Sequence, residues 1–222
     1  MKRLFIGLAA GVAVLLGASA AYVFMYFQKI DGVSTGPQIA QGQPDKPALL
    51  VIDIQEGITG RSAPKFTQSM ARQSGPFIEK VNQVITWAQG KNMPVIYIRQ
   101  ENADKLFNIL SKNLLAQGDP SAALDPRVRV AAGPVFTKAK MDAFSNPEFE
   151  EFLNHGGINH LYVTGLSATA CVDRTVKAAL NRGYAVTPVA DAIIGEKAHA
   201  KEAKCREWAQ AHAALSLADQ LK

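Results

Sequence analysis

Uninterrupted apolar runs alternate along this chain with stretches whose apolar residues recur every three or four positions. Three runs, Ala48-Leu-Leu-Val-Ile52, Pro94-Val-Ile-Tyr-Ile98 and His160-Leu-Tyr-Val-Thr-Gly165, have the composition of strands buried on both faces. Shorter strands are expected over Pro134–Thr137 and Ala185–Ala190, with Pro188 restricting the second to a sheet edge or a bulge. Between the runs, Phe77, Val81, Val84, Ile85 and Ala88 fall on one face of a helix. So do Val172, Val176, Ala179 and Leu180, with Gly183 as the stop. Strand–helix alternation of this kind predicts an α/β domain with a doubly wound, mainly parallel sheet and helices on both faces, a Rossmann-like arrangement.

The N-terminus follows a different pattern. From Leu4 to Phe27 there are 24 residues without a charge, preceded by Lys2 and Arg3. A helix of that length spans about 36 Å, enough for a hydrocarbon core of about 30 Å. Three readings compete: an uncleaved transmembrane anchor, a signal peptide cut after Ala18-Ser19-Ala20, and a buried helix of a soluble protein, the last disfavoured because the anchor and the signal are the better matches to an uncharged run with no polar face. Tyr22-Val-Phe-Met-Tyr-Phe27 stays apolar beyond that cleavage site, which favours the anchor. In both of the first two the basic residues lie on the N-terminal side. The rest of the chain is therefore expected on the outer, periplasmic or extracytoplasmic side of the cytoplasmic membrane, tethered in the first reading and released in the second. Asp31–Pro47 holds three Gly, three Pro and three Gln without an apolar pattern and reads as a flexible tether. The expected organisation is an anchor or signal over 1–30, a linker over 31–46 and a folded domain over 47–222.

Composition narrows the function classes. At 222 residues and 48% apolar, the chain buries one sizeable core, which excludes disordered and fibrous classes. The net charge of +5 comes with no basic run interleaved with aromatics, so no nucleic-acid partner is expected. Two cysteines, Cys171 and Cys205, do not make a disulfide framework.

In an open parallel sheet, ligands bind beyond the carboxyl ends of the strands. Asp53 closes the first run, Lys138 follows Pro134-Val-Phe-Thr137, and Cys171 begins a helix six residues after Gly165. A helix N-terminus favours thiolate over thiol and so suits a nucleophile. Each signal alone is weak; their combination at three strand ends points to chemistry.

Four segments together resemble the isochorismatase-like cysteine hydrolases: Leu50-Val-Ile-Asp-Ile-Gln55, Lys138-Ala-Lys-Met-Asp-Ala-Phe144, Gly165-Leu-Ser-Ala-Thr-Ala-Cys-Val-Asp-Arg-Thr175, and Arg182-Gly-Tyr184 leading to Asp191-Ala192. The resemblance covers about Pro47 to Ala214. It implies that Asp53 is the general base, Lys138 its cationic partner and Cys171 the nucleophile. Lys140 is the neighbouring alternative to Lys138. It also implies a non-proline cis peptide at Leu166-Ser167. Turning that peptide over would aim the Ser167 N–H, beside the Cys171 N–H, at a developing oxyanion. Gln55, Gln100 and Phe144 flank the expected pocket and are candidates for substrate contact.

Departures from the family narrow the reaction. Its metal-dependent nicotinamidases carry His and Asp ligands after the first two strands, whereas 57–72 and 100–107 here contain no His. His155, His160, His199 and His212 lack ligand spacing, so neither a metal nor another cofactor is expected. Relatives that cleave the isochorismate vinyl ether lack the Cys. The expected function is hydrolysis of a small amide, carbamoyl or imide C–N bond through an acyl-enzyme. The rival is a catalytically silent, membrane-anchored binding or scaffold module of the same fold. A redox role for Cys171 with Cys205 is disfavoured by their separation. The sequence neither requires nor excludes a homo-oligomer.

Overall fold

The apolar runs become five parallel strands: β1 (Pro47–Ile52), β2 (Val95–Gln100), β3 (Val135–Lys138), β4 (His160–Leu166) and β5 (Ala185–Ile194). They are seen in a computed structural model that describes residues 2–61, 63–65 and 67–221, with side chains from residue 11 onward. Met1 and Lys222, the ends of the expected first and last segments, lie outside the described residues, as do the side chains of Lys2 and Arg3. The strand order is β3-β2-β1-β4-β5, with each neighbouring pair parallel. The chain winds outward from β1 through β2 to β3, then returns to lay β4 on the other side of β1. The topological switch point of the sheet therefore falls between β1 and β4.

Among the described residues seven α-helices accompany the strands: α1 (Lys2–Ile30), α2 (Glu56–Thr59), α3 (Gln68–Gly90), α4 (Lys105–Leu110), α5 (Pro147–Gly156), α6 (Cys171–Asn181) and α7 (Ala198–Gln210). On one face of the sheet, α3 buries Phe77, Val81, Val84, Ile85 and Ala88 against Leu49, Val51, Val95 and Tyr97. On the other, Phe149 and Leu153 of α5, Val172, Val176 and Ala179 of α6 and Trp208 of α7 meet Leu50, Ile52, Ile96 and Val163. Successive residues of β1 thus feed opposite cores. That explains why its sequence is continuously apolar, each buried Leu or Ile contributing about 1.5–3 kcal/mol. Pro188 sits in the edge strand β5, beside a register shift opposite Val163 and Gly165, as its missing N–H requires.

Residues 31–46, read from composition as a flexible tether, run without regular structure along the domain and are held to it. The Ser34 N–H donates to Asp142 Oδ2 at 2.8 Å and the Ile39 N–H to the Arg182 carbonyl at 2.9 Å. Asn159 Nδ2 donates to the Pro44 carbonyl at 2.9 Å, and Val33 and Ile39 pack on the core. Arg182, 2% exposed, makes the main fixture. Its guanidinium forks onto Glu150 at 2.7 and 3.2 Å, donates to the Ser34 carbonyl at 3.0 Å and lies over the Phe144 ring at 4.5 Å. Gly and Gln composition signals an extended backbone, but it does not report the long-range partners that dock this one.

The helix expected across Leu4–Phe27 extends to Ile30. Over Gly11–Ile30 it is long and apolar enough to cross a membrane. Val14, Leu15, Leu16, Phe24 and Met25 are exposed on it, whereas Tyr26 and Ile30 are buried against the domain.

Candidate active site

Asp53 directly follows β1 and takes a left-handed backbone, φ 55°, a conformation that Asp tolerates better than most residues. Its N–H still donates to the Ile98 carbonyl at 2.8 Å, so the backbone turns away from the sheet while staying tied to β2. Lys138 is the last residue of β3, two strands away. Its Nζ donates to Asp53 Oδ2 at 2.8 Å and to Gln100 Oε1 at 2.7 Å, with its side chain sealed from water. Lys140, the neighbouring alternative, is exposed. Burial works against the Lys138 charge, but Asp53 and Cys171 outweigh it and hold the ammonium above the usual lysine range.

Cys171 is the first residue of α6 and lines a cavity together with Asp53, Gln100, Leu166 and Ser167. The helix is pinned from behind: Asp173, fully buried, accepts from Trp208 Nε1 at 3.0 Å and pairs with Lys177 at 3.1 Å. The thiol does not behave as a helix N-terminus alone would make it. Burial pushes it up to about 12, the Asp53 carboxylate adds to that, and Lys138 pulls the other way. Burial is thus the largest influence on the thiol, which sits beside an ion pair. Among the described residues, two polar atoms of the cluster are buried without a partner: Asp53 Oδ1, an acceptor, and Gln100 Nε2, a donor.

The Leu166–Ser167 peptide is cis, as the resemblance implies. Gly165 before it has φ 119°, and a Cβ there would stand 2.1 Å from the Ile52 carbonyl oxygen, so only glycine allows β4 to lie this close to the end of β1. Among the described residues, the N–H groups of Ser167 and Cys171 have no acceptor within the protein, whereas Ala168 donates to Ile194 and Val172 to Ser167.

The structure brings Asp53, Lys138, Cys171, Ser167 and Gln100 together, and turns the other two candidates elsewhere. Gln55 is fully buried, and its amide braces backbone by donating to the Gln100 and Ala122 carbonyls and accepting from the Gln100 N–H. Phe144 packs in the core against Phe149 and Tyr184, and neither residue lines the cavity. His160 bridges Asp45 and Thr187 at the opposite end of β4. Among the described residues no three His, Cys, Asp or Glu side chains converge. Cys205 lies on α7, where burial raises its thiol despite Lys201 and Arg206.

Sequence reasoning missed part of the cavity wall. The cavity, about 260 Å³, is also lined by Tyr26, Phe27 and Ile30 from the end of α1 and by Phe107 from α4. The Tyr22-Val-Phe-Met-Tyr-Phe27 cluster carried that signal only as an aromatic excess at one end of the helix.

Fold and cavity define an α/β domain of the doubly wound parallel type with an acid, a lysine and a thiol gathered at its switch point. The chain belongs to the isochorismatase domain family, whose profile matches residues 47–220. It is 28% identical over 155 residues to an N-carbamoylsarcosine amidase of Arthrobacter sp, a match covering 64% of this chain and only 57% of that protein. It is 25% identical over 154 residues to the ureidoacrylate amidohydrolase RutB of Yersinia enterocolitica, covering 59% of this chain and 67% of the relative. Among solved structures, an N-carbamoylsarcosine amidase from Thermoplasma acidophilum superposes with a TM-score of 0.66 at 25% identity, covering 80% of this chain and 99% of that one.

Proposed function

We propose that this protein is a cysteine amidohydrolase that cleaves a small amide, carbamoyl or imide C–N bond. The observation that carries the reading is the buried Lys138–Asp53 pair, 2.8 Å apart, on the same cavity as the Cys171 thiol. The amidase names of the matched relatives agree with it.

In this reading Asp53 takes the thiol proton on Oδ1, its free oxygen, as Cys171 Sγ attacks the carbonyl carbon. Lys138 holds Asp53 through its other oxygen, Oδ2, and steadies the sulfur as charge develops. The N–H groups of Ser167 and Cys171 receive the oxyanion. The tetrahedral species collapses, the C–N bond breaks, and the proton on Asp53 passes to the departing nitrogen, leaving a Cys171 thioester. Water deprotonated by Asp53 then attacks the thioester and releases the acid, and the thiolate recovers its proton. No step needs a metal.

The test is a screen of small amides and carbamoyl compounds with ammonia detection, with Cys171→Ala and Cys205→Ala in parallel. Turnover is expected in the wild type and in Cys205→Ala, and none in Cys171→Ala, with EDTA without effect. Near-normal hydrolysis by Cys171→Ala would overturn the mechanism. A folded protein that turns over no amide would leave the silent scaffold as the better account.

For location, we propose that α1 is an uncleaved anchor that holds the domain on the outer side of the cytoplasmic membrane. The support is the uncharged run from Leu4 up to the docked turn Tyr26–Ile30, and the basic residues before it.

A further inference from the structure

The matched domain begins at Pro47, yet Tyr26, Phe27 and Ile30 lie upstream of it and line the cavity over Cys171. They are not loosely placed. Tyr26 Oη donates to Asn102 Oδ1 at 2.8 Å, and its ring stacks on Phe107 with centroids 4.0 Å apart and planes 18° from parallel. Phe27 meets the same Phe107 ring edge-on at 5.8 Å. The Met141 N–H donates to the Ile30 carbonyl at 3.0 Å, and Asp31 is clamped by Arg174 at 2.6 and 3.0 Å. Five independent contacts thus hold the end of α1 as a wall of the site.

The wall has a definite chemistry. Rings of Tyr26, Phe27 and Phe107 line the cavity together with Ile30, Met141 and Leu166. The charged residues among the described lining are Asp53, already paired with Lys138, and the exposed Glu196; no Lys, Arg or His lines the cavity. A carboxylate on the substrate would meet an apolar surface and a like charge, with the nearest cation, Lys138, already paired to Asp53. An uncharged group would be sheltered by the rings, with the free Gln100 Nε2 and the Ser167 and Cys171 N–H groups as polar donors.

We infer that the substrate is an uncharged amide carrying an apolar, alkyl or aryl, group, and that Tyr26 and Phe27 of the N-terminal helix select for that group. This rests on the amidohydrolase reading above and specifies its substrate. It holds whether or not the chain is cut after Ala20, since Tyr26 and Phe27 lie beyond that point.

The experiment labels the full chain, in lipid nanodiscs, with three thiol-directed probes: chloroacetamide, N-butylchloroacetamide and N-(chloroacetyl)glycine. Rates at Cys171 are read by mass spectrometry, each divided by the rate at Cys205 in the same molecule. The butyl probe is expected to label Cys171 about tenfold or more faster than the glycine probe, the gain that burying a few methylenes allows. Tyr26→Ala and, separately, Phe27→Ala should each shrink that preference severalfold. Phe27 is 44% exposed, so its truncation spares the fold even if Tyr26→Ala does not. A preference for the carboxylate probe, or a butyl preference indifferent to Phe27→Ala in a folded protein, would overturn the inference. Amide turnover dependent on Cys171 in the same preparation would show that only the substrate class had failed. Its absence would instead remove the hydrolase reading.

Discussion

Lys138 Nζ lies 2.8 Å from Asp53 Oδ2, with 0% and 3% of the two side chains exposed. A pair this deeply buried is coupled to stability as well as to chemistry: removing one partner leaves an uncompensated charge, at a cost of about 3–5 kcal/mol. Lys138→Met is expected to lose stability of that order in urea unfolding and to lose turnover. Adding Asp53→Asn to it should restore much of the stability and none of the activity. Equal stability of Lys138→Met and wild type would mean that the pair is not buried as described.

The raised Cys171 thiol makes stability depend on alkaline pH. Unfolded, the thiol ionises near its ordinary value of 9.0; folded, it keeps its proton to about 12. Below pH 9 both states hold the proton and the contribution is complete. Between pH 9 and 12 the unfolded chain gives up its proton first and stability falls, by at most about 1.4 kcal/mol per pH unit. The fall should be shallower in Cys171→Ala, so unfolding curves of the two proteins should diverge above pH 9. Parallel curves would contradict the placement of the thiol.

Gly165 controls the approach of β4 to β1. In Gly165→Ala the new Cβ would stand 2.1 Å from the Ile52 oxygen, one residue before Asp53, so the strand ends must separate. Turnover should fall by at least about a hundredfold, the order expected when reacting groups are displaced by about 1 Å. A protein with unchanged kcat would show that the close approach does not position the site.

Arg182 ties residues 31–46 to the domain. Arg182→Ala strands Glu150 and releases the Ser34 carbonyl, so limited proteolysis should cut within 31–46 much faster than in wild type. Gly36→Ala should do the same more mildly, since its Cβ would press on the Arg182 guanidinium at 2.6–2.8 Å. Equal cleavage rates in all three proteins would mean that the segment is not held by this residue.

For location, full-length protein is expected in the cytoplasmic membrane fraction, with its domain digested by protease added to spheroplasts. Protection of the domain until lysis would reverse the orientation.

How far the sequence reached is clear from particular residues. The five strands, the helices over Phe77–Ala88 and Val172–Leu180, and the placement of Asp53, Lys138 and Cys171 at strand or helix ends were legible. Apolar runs, 3.6-residue periodicity and strand ends are all properties of short windows. Pro188 at an edge followed from its missing N–H in the same way. Side-chain destinations were not local. Lys138 and Lys140 differ by two residues, yet only Lys138 reaches across 85 positions to Asp53. Gln55 and Phe144 sit beside the motif segments, but tertiary packing turned one onto the backbone of β2 and the other into the core. The sequence pointed only to the helix end as an influence on the thiol; burial, which no window of sequence reports, raises it. The joining of α1 to the cavity was decided by tertiary structure alone: Tyr26 finds Asn102 across 76 positions. Periodicity gives the face of a helix that is apolar; only the folded chain decides what that face meets.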